Sequence, residues 1–133
     1  IRESYVNIEE AANGSPSKTS TRHCLNQGYV YDGGPFMISE FGGVAYNVDE
    51  EEEDSAWGYG ERLSDKETVL SKIKALHQAV MDIEGICGFC YTQLTDVEQE
   101  INGLLDHHHN YKFDPQEIKD ILEYKHNLGF IFK

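Results

Sequence analysis

The stretch Pro35–Gly43, which reads PFMISEFGG, is the part of the sequence that decides the fold. Its apolar residues follow one another without helical spacing, which predicts a short buried strand. Glu40 stands at the end of that strand, where α/β proteins place their functional residues. Gly42 and Gly43 then let the backbone turn sharply away. Glu40 is therefore the first candidate for a catalytic residue, and the alternative is a surface carboxylate where a strand meets a loop.

The rest of the chain alternates between helical and strand patterns. A strand is predicted near 36–40 and a second one near 86–91, where ICGFCY is apolar on both faces, as in a central parallel strand. Helices are predicted near 65–82 and 115–127, each opening with a capping box, SDKE at 64–67 and DPQE at 114–117. This alternation predicts an α/β fold with parallel strands and right-handed crossovers.

The composition limits the partners that the protein can bind. The formal net charge is -13, and the run Asp49–Asp54 alone contributes six acidic residues. Because such a charge repels phosphates and anionic lipid, neither nucleic acid nor a membrane is expected as a partner. No run reaches the roughly 20 apolar residues of a membrane span. A signal peptide has a basic segment followed by an apolar one, and the first residues of this sequence do not show that pattern.

The three cysteines argue against a disulfide framework, because their number is odd. Free thiols favour a reducing, cytoplasmic location; a periplasmic or secreted protein is the alternative if a signal lies upstream of Ile1. Cys87 and Cys90 have the spacing of a redox dithiol. Both lie inside the predicted strand, however, where residues three apart point to opposite faces. Thiol redox chemistry therefore stays a lesser alternative.

No cofactor or metal is expected. The run His107–His109 contains potential ligands, but neighbouring residues of an extended chain alternate sides, so that solvated histidines are the better interpretation. Carboxylates remain as the candidates for chemistry. Asp96, Glu98 and Glu100 follow the second predicted strand as Glu40 follows the first, and parallel strands bring such loops to one rim. Glycoside hydrolysis uses two carboxylates in this way.

The motif PFMISEFGG resembles the nucleophile segment of glycoside hydrolase family 2, which contains β-galactosidases, β-glucuronidases and β-mannosidases. The stretch Gly88–Leu104, GFCYTQLTDVEQEINGL, is similar to the last barrel strand and its loop in the bacterial β-galactosidase-like branch. The resemblance extends from residue 29 to about 125, and the segment WGYG at 57–60 fits the same branch.

The resemblance implies a TIM (β/α)8 barrel with Glu40 as the nucleophile that forms a covalent glycosyl-enzyme intermediate. It implies that Tyr91 stacks under the sugar at the rim and that Trp57 lines the same cleft. Residues 29–133 would form the C-terminal part of the barrel domain, with about its last two β/α units, and residues 1–28 a loop-rich segment of the same domain. The implied reaction is cleavage of terminal β-glycosides, with β-galactosides expected.

Two departures from the family pattern limit this expectation. A complete barrel needs about 250 residues, and the acid/base glutamate of the family follows an asparagine, whereas this sequence has no Asn-Glu pair. The chain is therefore expected to be a fragment that is inactive alone and that associates with copies of itself through unpaired strand edges. A non-catalytic module that binds carbohydrate or protein is the main alternative.

Overall fold

The computed structural model describes residues 8–13, 23–46, 58, 63 and 65–124. Its elements in chain order are α1 (Ile8–Asn13), β1 (Phe36–Gly42), α2 (Lys66–Met81), β2 (Ile86–Thr92) and α3 (Pro115–Leu122). β1 and β2 pair in parallel and form a two-stranded sheet, and α2 lies between them in the chain. From residue 36 onwards, the described elements follow the predicted order of strand, helix, strand and helix.

The prediction of a partial TIM barrel is wrong. The described residues form a small domain of two parallel strands and three helices, of which α1 has only six residues. A strand inside a barrel is paired on both edges and covered on both faces. Within the described ranges, in contrast, β1 pairs only with β2, and Met37 in β1 is 52% exposed. Hydrophobic spacing predicts single helices and strands. Closure of a barrel depends on pairing with further strands, which the sequence patterns of two strands do not reveal.

The helix starts are set by aspartate caps. Asp114 accepts a hydrogen bond from the Gln116 amide at 2.8 Å, with Pro115 in the first turn, as the DPQE motif predicts. In α2 the cap is Asp65, one residue later than predicted, and its carboxylate accepts from the Thr68 amide at 2.7 Å. Ser64, the predicted cap, and the predicted end of α3 at residue 127 lie outside the described residues.

The core lies between the sheet and the helices. α2 contacts both β1 and α3, and its apolar stripe places Val69, Ile73, His77 and Val80 in the interior. Val69 and Ile73 form a cluster of buried apolar residues with Val44, Phe113 and Ile121. The opposite face of the sheet lacks such a cover among the described residues, because Met37, Ser39 and Glu40 of β1 are all exposed.

The structure also contains the short helix α1, within the segment 1–28 that was expected to be rich in loops. Ala11 and Ala12 are its buried residues, at 2% exposure each. None of the helices in the described part of the chain is long and apolar enough to cross a membrane.

Candidate functional site

Glu40 lies in a β-bulge near the carboxyl end of β1. Ile38 is in register with Phe89, and the next paired positions are Phe41 and Tyr91. Three steps along β1 therefore match two steps along β2, so that Ser39 and Glu40 together oppose Cys90. A bulge of this kind re-aims side chains and is frequent next to active sites.

The bulge places its side chains on the open face of the sheet. Ser39, Glu40 and Cys90 are exposed, whereas Phe41 is only 6% exposed. The Phe41 ring contacts Phe89 at a centroid distance of 5.6 Å, and Phe89 contacts His77 of α2 at 4.9 Å. The aromatic side chains thus point towards the helices. Ser39 and Glu40 of the bulge are exposed instead.

The strand end after Glu40 is held by contacts that require glycine. Gly42 has a φ of 110°, and a Cβ added there would lie 2.4 Å from Cε2 of Tyr91 and 3.1 Å from the Thr92 carbonyl oxygen. The Tyr91 ring therefore occupies the space that the missing side chain leaves. The Gly43 amide then donates to the Thr92 carbonyl oxygen at 2.7 Å, which joins the two strand ends.

Tyr91, the residue expected to stack under a sugar, packs into the protein. Its ring meets Phe41 edge-on at 5.6 Å and 85° and contacts the core cluster. Burial raises the pKa of its phenol well above the ordinary value, which keeps the group neutral. Trp57, the other residue expected at the cleft, lies outside the described residues.

The segment that follows β2, residues 93–112, is built around a buried ion pair that the sequence did not predict. The Lys112 ammonium lies 2.9 and 2.8 Å from the two carboxylate oxygens of Asp96 and 3.0 Å from the Ile101 carbonyl oxygen. The Gly103 amide donates to Asp96 at 2.7 Å. Burial lowers the pKa of Lys112, and the hydrogen bonds that its ammonium donates to the Asp96 carboxylate oppose that effect.

This ion pair changes the interpretation of the carboxylates after β2. Asp96 is neutralised by Lys112 inside the protein, and Glu100 accepts a hydrogen bond from the Asn102 side chain at 3.0 Å. Glu98 is exposed and has a positive φ of 51°. Asp96, whose side chain is 8% exposed, thus stabilises the segment, so that it is a poor candidate for a second catalytic carboxylate.

The segment is joined to the chain that follows β1. The Tyr46 amide donates to the Ile101 carbonyl oxygen at 3.0 Å, the same oxygen that accepts from Lys112. The Leu104 amide donates to the Gln93 carbonyl oxygen at 3.1 Å. The carboxyl ends of β1 and β2 therefore share one hydrogen-bonded rim, as expected for parallel strands.

The histidine and cysteine motifs lie on the surface of the protein. His107, His108 and His109 are exposed, on a turn in which Asp106 accepts hydrogen bonds from the His108 and Asn110 amides at 2.8 Å each. No group of three or more potential metal ligands converges within the residues that the structure describes. Cys24, Cys87 and Cys90 are free and exposed.

The sequence did not reveal residues whose role depends on contacts between distant parts of the chain. Lys112 was overlooked because a charged residue counts as exposed in a hydrophobic pattern, although its place between Tyr111 and Phe113 is a signal for burial of its stem. Asn102 is only 1% exposed, although an asparagine followed by a glycine is typical of a surface turn. No family model matches this sequence, and no curated protein is similar enough to count as a relative.

Proposed function

We propose that this chain supplies the nucleophile segment of a retaining glycoside hydrolase that cleaves terminal β-glycosides, with β-galactosides as substrates. The observation that carries the proposal is the position of Glu40, which lies in a bulge at the carboxyl end of a parallel strand on the exposed face of the sheet. The resemblance of its flanking residues to the family 2 nucleophile motif supports the same role.

In the proposed reaction the Glu40 carboxylate attacks the anomeric carbon, and the bond from that carbon to the leaving oxygen breaks. A glycosyl ester on Glu40 forms, and water then hydrolyses it. An ordinary leaving group needs a proton as it departs, and the family's Asn-Glu motif for the donor is absent from this sequence. Turnover of ordinary substrates therefore requires a second protein part, and the chain alone is expected to be inactive.

Self-association is proposed as the second property of the chain. The supporting observation is the two-stranded parallel sheet, whose strands pair only with each other among the described residues. Tyr29 and Val30, which precede β1, are 74% and 75% exposed. Parallel sheets are normally covered on both faces and edges. Sedimentation at micromolar concentration is expected to show dimers or larger species, and a clean monomer would rule this property out.

We also propose a reducing, cytoplasmic location, because the three cysteines are free and exposed, and free thiols persist in reducing compartments. Among the residues that the structure describes, no specific contact favours the redox or the binding-module alternative.

The proposed function is tested with 2,4-dinitrophenyl 2-deoxy-2-fluoro-β-galactoside. Dinitrophenolate leaves as a stable anion without a proton, so that the missing acid does not prevent the first step. The fluorine slows hydrolysis of the ester, so that the intermediate accumulates. We expect mass spectrometry of the 133-residue chain to show slow addition of one fluorosugar, located on Glu40, and no turnover of an unactivated aryl galactoside.

The matched variants are Glu40→Gln, which removes the nucleophile, and Glu67→Gln, which removes an exposed carboxylate in the first turn of α2. Labelling should vanish in the first variant and persist in the second. Equal labelling of Glu40→Gln, or no label on Glu40 in the unmodified chain, would reject the proposal. Saturable sugar binding without a label would instead indicate a non-catalytic binding module.

A further inference from the structure

We infer that Tyr91 is a positioning residue for Glu40 and not a sugar-stacking platform. This inference rests on the proposed function and assigns a different role to a residue within the same site. The Tyr91 ring lies against Phe41 and Gly42, the two residues that directly follow Glu40. It therefore acts on the nucleophile through the backbone of β1.

The first argument is the packing at Gly42. A methyl group there would lie 2.4 and 2.7 Å from two carbons of the Tyr91 ring, distances that real carbon atoms do not tolerate. The ring therefore covers the backbone two residues beyond Glu40. Because Gly42 has a φ of 110°, the strand turns away at this point, and the ring limits how the turn can move.

The second argument is the register of the two strands. Phe41 is paired with Tyr91 directly after the bulge, and Gly43 is bonded to Thr92 one step beyond Gly42. The bulge containing Glu40 thus ends at an aromatic pair and a short hydrogen bond. A bulge interrupts the regular ladder between two strands, so that the position of its backbone depends in part on the anchors at its ends.

The third argument concerns the face of the sheet. Tyr91 and Phe89 both contact Phe41, and Phe89 contacts His77 of α2. Tyr91 also contacts the core cluster between α2 and α3. The ring is thus on the helix side, whereas Glu40 is exposed on the other side. A sugar held at Glu40 would meet the open face and not the packed face of Tyr91.

The test separates binding of the fluorosugar from attack on it. The rate of labelling by 2,4-dinitrophenyl 2-deoxy-2-fluoro-β-galactoside is measured against its concentration, which gives a half-saturation concentration and a limiting rate. Tyr91→Leu should lower the limiting rate about tenfold or more, because small displacements of a reacting group cost large factors in rate. The half-saturation concentration should stay within about twofold. Tyr91→Phe should restore the limiting rate, since it keeps the ring.

The matched control is Tyr111→Leu, which removes a ring that is 69% exposed and should change neither quantity. A second measurement needs no labelling: the backbone amide resonances of Ser39 and Glu40 should shift in Tyr91→Leu and in Gly42→Ala, and not in Tyr111→Leu. Absence of a label in the unmodified chain would refute the proposed function alone, because the amide shifts still report positioning.

Two results would overturn the inference. A raised half-saturation concentration with an unchanged limiting rate in Tyr91→Leu would make the ring a sugar platform. Unchanged amide resonances at Glu40 in both Tyr91→Leu and Gly42→Ala would show that the ring does not hold the bulge.

Discussion

Replacing Lys112 by methionine is expected to destabilise the domain strongly. The ammonium is 1% exposed and lies between the two oxygens of Asp96, whose own side chain is 8% exposed. Methionine has a similar length and fills the space of the stem. The variant therefore removes the charge and its three hydrogen bonds, to Asp96 twice and to Ile101, while it retains the apolar contacts.

The magnitude follows from what is left behind. Asp96 keeps one donor, the Gly103 amide at 2.7 Å, and its carboxylate stays buried without a counter-charge. Breaking a buried pair on one side costs about 3–5 kcal/mol. Domains of this size have about 5–15 kcal/mol of stability in total. The variant should thus remain folded in water but lose a large share of that stability.

The measurement is urea unfolding followed by circular dichroism at pH 7, with the free energy of unfolding taken by linear extrapolation. Lys119→Met is the matched control. Lys119 lies 3.9 Å from Glu123, and the two side chains are 58% and 65% exposed. Loss of that exposed pair should cost less than about 1 kcal/mol.

The double variant Asp96→Leu with Lys112→Met tests the reasoning further. It leaves no buried charge, although the Gly103 amide and the Ile101 carbonyl group lose their partners. Its free energy of unfolding should therefore be no lower than that of either single variant. Two results would refute the role of the ion pair. Lys112→Met could lower the free energy of unfolding as little as Lys119→Met does, or the double variant could lose the sum of the losses in free energy of the two single variants.

Two further predictions concern a buried histidine and a glycine. His77 is 0% exposed. Burial lowers its pKa below the ordinary value, and an interaction with the Tyr124 backbone partly offsets this effect. The unfolded chain thus binds a proton more readily than the folded chain, so that stability should fall as the pH drops from about 6.5. His77→Leu should flatten this part of the urea-unfolding profile between pH 7.5 and 5, and an unchanged slope would contradict the argument. Gly103→Ala should lower the free energy of unfolding by more than about 2 kcal/mol, because the added Cβ would lie 2.4 Å from the Asp96 backbone nitrogen. The control is Gly34→Ala, where the added Cβ would have no neighbour nearer than 3.6 Å. Its loss in free energy of unfolding should be less than half as large.

Local patterns predicted the elements because each pattern has a local physical cause. The DPQE motif supplies a carboxylate and a proline where a helix needs a cap and a first residue without an amide, and α3 begins there. The apolar spacing of α2 places Val69, Ile73 and Val80 on one buried face. These requirements are met within a few residues, so that no knowledge of the rest of the chain is needed.

The site could be predicted only in part. Glu40 was found at a strand end because apolar runs followed by a carboxylate and glycines are visible in the sequence. The bulge around it was not, since a register shift exists only between two strands. The side on which Tyr91 lies depends on its packing against Phe41 and the core cluster, which are distant from it in sequence. The barrel prediction failed for a related reason, because closure is set by pairing between strands.

The exposure of Glu40 connects the two proposed properties of the chain. Glu40 is exposed, whereas glycosidase chemistry relies on a site from which most water is excluded. The open face of β1 that presents Glu40 also exposes Met37, at 52%. Any partner that covers Met37 would enclose Glu40 as well. Labelling of Glu40 and protection of the β1 face from solvent should therefore rise together with the concentration of the partner, or of the chain itself.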